Sequence, residues 1–155
     1  MGHLLNYSII ADAYEKIEAT TKRLEMTSLL VDLLKATPKD LIAKVVYLTQ
    51  GKIYPDFVSL EIGVAEKLAI RALSRASGRK ESEIEADLRK SGDIGETAQT
   101  FLSKKTQVTF GQKTLTVERV YETLDKMAKT IGSGAVDTKM ALLCGLLTDA
   151  SPKES

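Results

Sequence analysis

Apolar residues recur along most of the chain at spacings of three and four, the period of a helix with one buried side. From Ile10, the positions Ile10, Tyr14, Ile17 and Leu24 keep that period, with Ala13 and Thr21 between, and predict a first helix. A second is expected from about Thr27, a residue suited to the N-cap, through Leu29, Leu30, Leu33 and Leu34. Thr37-Pro38-Lys39-Asp40 reads as N-cap, proline at the first helical position and an acid in the first turn. The third helix so opened carries Leu41, Ile42, Val45, Val46 and Leu48, with Gly51 placed to end it. Residues 52–63, including Tyr54-Pro55-Asp56-Phe57, read as an irregular connection.

The second half repeats the pattern with clearer punctuation. A fourth helix is predicted over residues 64–77, stopped by Gly78, and Ser82-Glu83-Ile84-Glu85 is a capping-box sequence for a fifth. Gly92 follows it, and Asp93-Ile94-Gly95-Glu96 opens a sixth. Between residues 104 and 114 the helical period is lost, and Val108 and Phe110 alternate with polar residues ahead of Gly111, as in a small hairpin or an exposed loop. Thr116 caps a long helix with Val117, Val120, Tyr121, Leu124, Met127, Ala128 and Ile131 along one side. Gly132-Ser133-Gly134 ends it, and a last helix holds Met140, Leu142, Leu143, Leu146 and Leu147. Ser151-Pro152-Lys153-Glu154 carries the start signals of a helix that the sequence cuts short, or else is a polar tail. The expectation is an all-α, compact multi-helix domain of about eight helices.

Composition narrows the chemistry more than the fold. The 155 residues suit one domain with a real core, and few aromatics and no tryptophan leave Leu, Ile, Val and Ala to fill it. A lone cysteine, Cys144, allows no internal disulfide; it sits in an apolar run and reads as a small core residue of a chain from a reducing, intracellular compartment. No stretch approaches a membrane span, and residues 1–6 read as a flexible or tag-derived leader rather than a signal peptide. The only histidine, His3, lies in that leader, which argues against a His-dependent triad or a His/Cys zinc site. Phosphate loop, dinucleotide fingerprint, HExxH and the Lys-x-Asp-Gly of covalent nucleotidyltransferases are all absent from the sequence, so no catalytic residue is assigned. The acids Glu81, Glu83, Glu85 and Asp87 follow the spacing of a solvated helix face.

Net charge is +1, but residues 101–139 carry seven basic against four acidic side chains, which permits a face for a polyanion without demanding one. Two places are chemically suited to phosphate. At Gly132-Ser133-Gly134 glycines let backbone N–H groups converge ahead of a helix N-terminus, with Lys139 in its first turns; the alternative is a simple C-cap and turn. At Thr20-Thr21-Lys22-Arg23, expected at the end of the first helix, hydroxyls and a guanidinium suit a DNA backbone, or else complement the negative end of the helix dipole.

Taken in order, the blocks Tyr14-Glu15-Lys16-Ile17-Glu18, Arg23-Leu24-Glu25-Met26-Thr27-Ser28-Leu29-Leu30, Val46-Tyr47-Leu48-Thr49-Gln50-Gly51-Lys52 and Leu60-Glu61-Ile62-Gly63 resemble a known family. So do Gly92-Asp93-Ile94-Gly95-Glu96, Leu115-Thr116-Val117, Thr130-Ile131-Gly132-Ser133-Gly134 and Leu143-Cys144-Gly145-Leu146-Leu147. The family is the N-terminal DNA-binding domain of ATP-dependent DNA ligases of the archaeal and eukaryotic type. The resemblance implies an all-α domain in two pseudo-symmetric halves, of which residues 1–155 are the front part, binding nicked double-stranded DNA without sequence preference. It implies DNA contacts at Thr21, Arg23, Gly132, Ser133, Gly134 and Lys139; Glu25, where some relatives have a neutral or basic residue, sets a negative charge near Arg23. For the parent enzyme it implies ATP and magnesium, roles in replication, recombination and repair, and a cytoplasmic location if archaeal or a nuclear one if eukaryotic. Partners so implied are the catalytic domains of the same ligase and a PCNA-type sliding clamp. Gln107 and Phe110 stand where some archaeal ligases carry a clamp-binding motif, although Gly111 replaces its second aromatic and a plain surface loop is the alternative. The competing function is a helical protein–protein adaptor without a nucleic-acid role, which would expose a contiguous apolar groove.

Overall fold

The computed structural model describes residues 5–55, 64–104 and 113–155. Among these, the regular elements are α1 (Tyr7–Glu18), α2 (Arg23–Ala36), α3 (Ile42–Thr49), α4 (Glu66–Ser77), α5 (Glu81–Ser91), α6 (Ile94–Ser103), α7 (Val117–Lys129) and α8 (Ala135–Asp149), with short 3₁₀ turns at Lys39–Leu41 and Pro152–Glu154. The described residues contain no β-strand beyond one isolated bridge, so the all-α expectation holds. The expected loop or hairpin at 104–114 falls mostly outside the described residues. Contacts divide the chain into two units: Met1–Ser59 with Leu115–Glu122, and Leu60–Thr114 with Thr123–Ser155.

In the first unit α1 packs against α2, and Leu5, Ile10, Leu33, Leu41, Val45 and Val117 form a buried core with Tyr7, Ala13, Tyr14 and Leu48 against it. Leu5 and Val117 arrive from far apart in sequence. They are joined by a bridge between Asn6 and Thr116, flanked by bonds from Tyr7 N–H to the Leu115 carbonyl (2.9 Å) and from Val117 N–H to the Leu5 carbonyl (2.7 Å). Tyr121 donates its hydroxyl to the Ile53 carbonyl, and the Lys44 ammonium lies 5.3 Å from the centre of the Tyr121 ring. Burial pushes the Tyr14 phenol up from its ordinary value, the Thr49 hydroxyl 3.0 Å away working in the other direction.

Three boundaries in this unit differ from the sequence reading. α1 stops at Glu18 rather than running to Leu24, and α2 begins at Arg23, so Thr27 lies inside it. The Thr27 hydroxyl bonds back to the Arg23 carbonyl at 3.0 Å instead of capping a helix start. Thr37 closes α2, its buried hydroxyl donating to the Leu33 carbonyl at 2.7 Å; Pro38 is extended, and a 3₁₀ turn precedes α3. At Thr27 and Thr37 a hydroxyl within reach of the carbonyl four residues back is satisfied inside the helix, and the same residue type looks like a cap in sequence alone.

The second unit follows its sequence signals more closely. Ile70, Leu73, Ile84, Ala98, Phe101 and Leu102 bury the contact of α4, α5 and α6, while Leu68, Ala72 and Met140 bury that of α4 with α8. Cys144 is half-buried against the latter group. Gly78 and Gly92 end α4 and α5 as expected. The Asp93 carboxylate accepts from the N–H groups of Gly95 (2.7 Å) and Glu96 (3.4 Å), opening α6 as expected. Ser82 is a correction: α5 begins at Glu81 with Lys80 ahead of it and no side-chain cap. Ser151 and Glu154 do form a capping contact, the Ser151 N–H donating to the Glu154 carboxylate at 2.8 Å over the short 3₁₀ turn, which packs on α6.

Candidate nucleic-acid interface

The first candidate spot is the corner between α1 and α2. Ala19 ends α1, and Thr20 shapes the turn: its hydroxyl accepts the Lys22 N–H at 3.2 Å and donates to the Glu25 carboxylate at 3.0 Å. Thr21 and Arg23 are exposed, and Arg23 makes no ion pair among the described residues. The corner therefore differs from the reading that placed Arg23 at the end of a helix. Arg23 is the first residue of α2, where a cation adds to the positive end of the helix dipole instead of offsetting the negative one. Dipole complementation is removed as its explanation; Lys22 and Arg23 add positive potential at the start of α2, while α1 ends on Glu18. Glu25, in the same first turn, partly offsets that potential, and Thr20 holds its carboxylate.

The second spot is the turn from α7 into α8. Thr130 closes α7, its N–H bonding the Met127 carbonyl at 3.2 Å and its hydroxyl the Lys126 carbonyl at 2.7 Å. Gly132 and Gly134 then take φ of +90° and +79°, the left-handed region in which a side chain is strained. A Cβ built on either glycine meets nothing within 4 Å, so glycine is required by the backbone conformation and not by crowding. Ala135 N–H bonds the Gly132 carbonyl at 3.2 Å, and Thr138 N–H the Gly134 carbonyl at 3.1 Å. The N–H groups of Gly132, Ser133 and Gly134 have no hydrogen-bond partner among the described residues, and all three residues are exposed. They stand ahead of the 15-residue α8, with a half-buried Lys139 in its second turn. That set of neutral donors beside a helix N-terminus and a lysine is suited to an anion.

One group here escaped the sequence reading. Asp137, in the first turn of α8, brings a negative charge close to the turn, and Arg71 of α4 meets it at 3.8 Å. Arg75, one helical turn on, reaches the Met140 sulfur at 3.6 Å. The signal available in sequence was the pair of arginines four apart on α4, but their meaning depended on α4 packing against α8. Thr21 and Arg23 belong to the first unit, and residues 132–134 with Lys139 to the second. Gln107 and Phe110 lie outside the described residues. No cluster of His, Cys, Asp and Glu suited to a metal ion occurs among the described residues, and no described helix is long and apolar enough to cross a membrane.

By class, the described residues form an all-α domain, with hydroxyls, cations and unpaired backbone N–H groups at two exposed turns. Comparison with known proteins gives the family: the model described as "DNA ligase N terminus" matches residues 6–155, and the chain belongs to that family. It is 54% identical over 151 residues to a DNA ligase of Nitrosopumilus maritimus, the match covering 97% of this chain and 26% of the relative. A DNA ligase of Cenarchaeum symbiosum is 48% identical over 151 residues, again 97% of this chain and 26% of the relative. DNA ligase 2 of Thermofilum pendens is 49% identical over 158 residues, with the same coverage of 97% and 26%. The chain thus spans about a quarter of the length of the curated relatives it matches.

Proposed function

We propose that this chain binds nicked double-stranded DNA, without sequence preference, as the N-terminal module of an ATP-dependent DNA ligase acting in replication, recombination and repair. The observation that carries the reading is the turn at residues 132–134, where two left-handed glycines leave three exposed N–H groups unpaired ahead of α8 and Lys139. Thr21 and Arg23 supply the side-chain counterpart at the start of α2. A ligase seals breaks in any sequence, so its useful contacts are to phosphate and sugar, and both spots offer groups of that kind. The parent reaction has three steps. A lysine takes AMP from ATP with magnesium, releasing pyrophosphate; AMP passes to a 5′-phosphate; and a 3′-hydroxyl attacks that phosphate, releasing AMP. This chain has no Lys-x-Asp-Gly to receive AMP, so ATP and magnesium act elsewhere in the parent protein, which works in the cytoplasm as an archaeal-type enzyme. Gln107 and Phe110 are offered, on sequence alone, as a contact for a PCNA-type clamp.

Gel-shift titrations with nicked, intact and single-stranded DNA at two salt concentrations test the reading. Duplex DNA should shift at low salt, nicked DNA at least as readily as intact, and affinity should fall by about 0.9 log unit per phosphate contact for each tenfold rise in salt. Labelled ATP with magnesium should leave no covalent AMP on the chain. A folded chain that binds no duplex at low salt would sink the proposal in favour of a protein–protein adaptor.

A further inference from the structure

Among the described residues, three large apolar side chains are more than half exposed: Leu24 at 87%, Ile131 at 85% and Val136 at 56%. The other exposed ones, Ile9, Val31, Leu34 and Ile42, do not exceed 42%. Isolated apolar exposure is ordinary on a protein surface and alone means little. Here all three side chains stand at the two candidate spots. Leu24 follows Arg23 directly, Ile131 precedes Gly132, and Val136 lies in the first turn of α8. The layout repeats, since Leu24 and Val136 are each the second residue of their helix, on separate units. At such exposure these side chains contribute almost nothing to the folded core.

Resting on the reading that these spots meet a DNA backbone, we propose that Leu24, Ile131 and Val136 are apolar contacts to deoxyribose, set beside the groups that take phosphate. Between successive phosphates of a strand lies a sugar, whose C–H face is the main apolar surface that the outside of a backbone presents. A leucine next to an arginine, and an isoleucine next to a glycine–serine turn, match that alternation of anion and hydrocarbon. The neighbouring Arg23 and Lys139, with the unpaired N–H groups of residues 132–134, make a polyanion the occupant rather than an apolar protein groove. The contribution is desolvation of hydrocarbon, which releases no counterions and does not depend on salt in the way phosphate contacts do.

Fluorescence anisotropy of a labelled nicked duplex, measured over a salt series, separates the two kinds of contact. Leu24→Gln and Ile131→Gln should each weaken binding about three- to tenfold, with the log–log salt slope and the melting temperature unchanged. Leu24→Met and Ile131→Val should bind as the parent chain does. Arg23→Ala and Lys139→Ala, run alongside, should instead flatten the slope. Unchanged affinity in the folded Leu24→Gln, Ile131→Gln double variant, while Arg23→Ala and Lys139→Ala still flatten the slope, overturns the sugar contacts and leaves the phosphate reading standing. A loss accompanied by a slope change of about one also overturns them. If the parent chain binds no duplex at low salt, both readings fall.

Discussion

The two turns reach a similar chemistry by different means. The corner ahead of α2 offers side chains: Arg23 is exposed, and Thr20 organises the turn and holds the nearby Glu25 carboxylate. The turn ahead of α8 offers the backbone, since its free donors are peptide N–H groups between two left-handed glycines. A side-chain contact is tuned by charge and tolerates small backbone shifts. A backbone contact is fixed by conformation and carries no net charge. The two should therefore fail differently, one through salt and charge and the other through conformation.

The largest effect is expected from conformation. Gly134→Val puts a β-branched residue at a φ of +79°, at a cost of about 1–2 kcal/mol or more even though the space beside it is open. The turn should either distort, weakening duplex binding by roughly tenfold with little change in salt slope, or lower the melting temperature. Both can be followed by circular dichroism and anisotropy on one sample. Normal binding at normal stability would mean that the positive φ is not needed and would erase the contrast.

Charge should give the next effect. Arg23→Ala and Lys139→Ala should each lower affinity several-fold at low salt and flatten the slope by about one, equally on different sequences. Unchanged affinity and slope in the folded double variant would take both residues off the surface that meets DNA. The smallest effect sharpens the corner alone. Glu25→Gln removes the negative charge that Thr20 holds in the first turn of α2, and should tighten binding about two- to threefold at low salt, fading as salt rises. A tightening that persists in high salt would point to a packing change instead.

What was legible in the sequence follows the range of the interaction that sets each feature. Asp93, Gly78, Gly92 and Thr116 read correctly because a cap is complete within a few residues, as in the Thr116 hydroxyl accepting the Arg119 N–H at 3.2 Å. The break between α1 and α2 was hidden by Leu24, which continues the apolar period of Ile10, Tyr14 and Ile17. At 87% exposure it never belonged to that buried stripe. Thr27 and Thr37 misled because a hydroxyl residue caps a helix or bonds within one, and only the neighbouring backbone settles which; Ser82 misled because α5 starts one residue earlier, at Glu81. Glycines, hydroxyls and cations marked both candidate turns in the sequence, and the resemblance added to them, but placing Arg23 at the start of α2 required the corner that Thr20 builds. Arg71 beside Asp137 was out of reach because it depends on how α4 lies against α8.

The bridge between Asn6 and Thr116 bears on how the chain comes off the ribosome. Leu115 and Val117 are 2% and 0% exposed, and Val117 completes the core that Leu5, Ile10, Leu33, Leu41 and Val45 begin. A nascent chain that has delivered α1, α2 and α3 still lacks that closing residue. At about 5–20 residues per second, the roughly seventy residues between α3 and Val117 keep the first unit waiting some 3–13 s. Over that interval its unfinished apolar side stays open to water and to chaperones, while α4, α5 and α6 already have one another to fold against. Residue order thus sets an order of assembly in which the part made first is completed late.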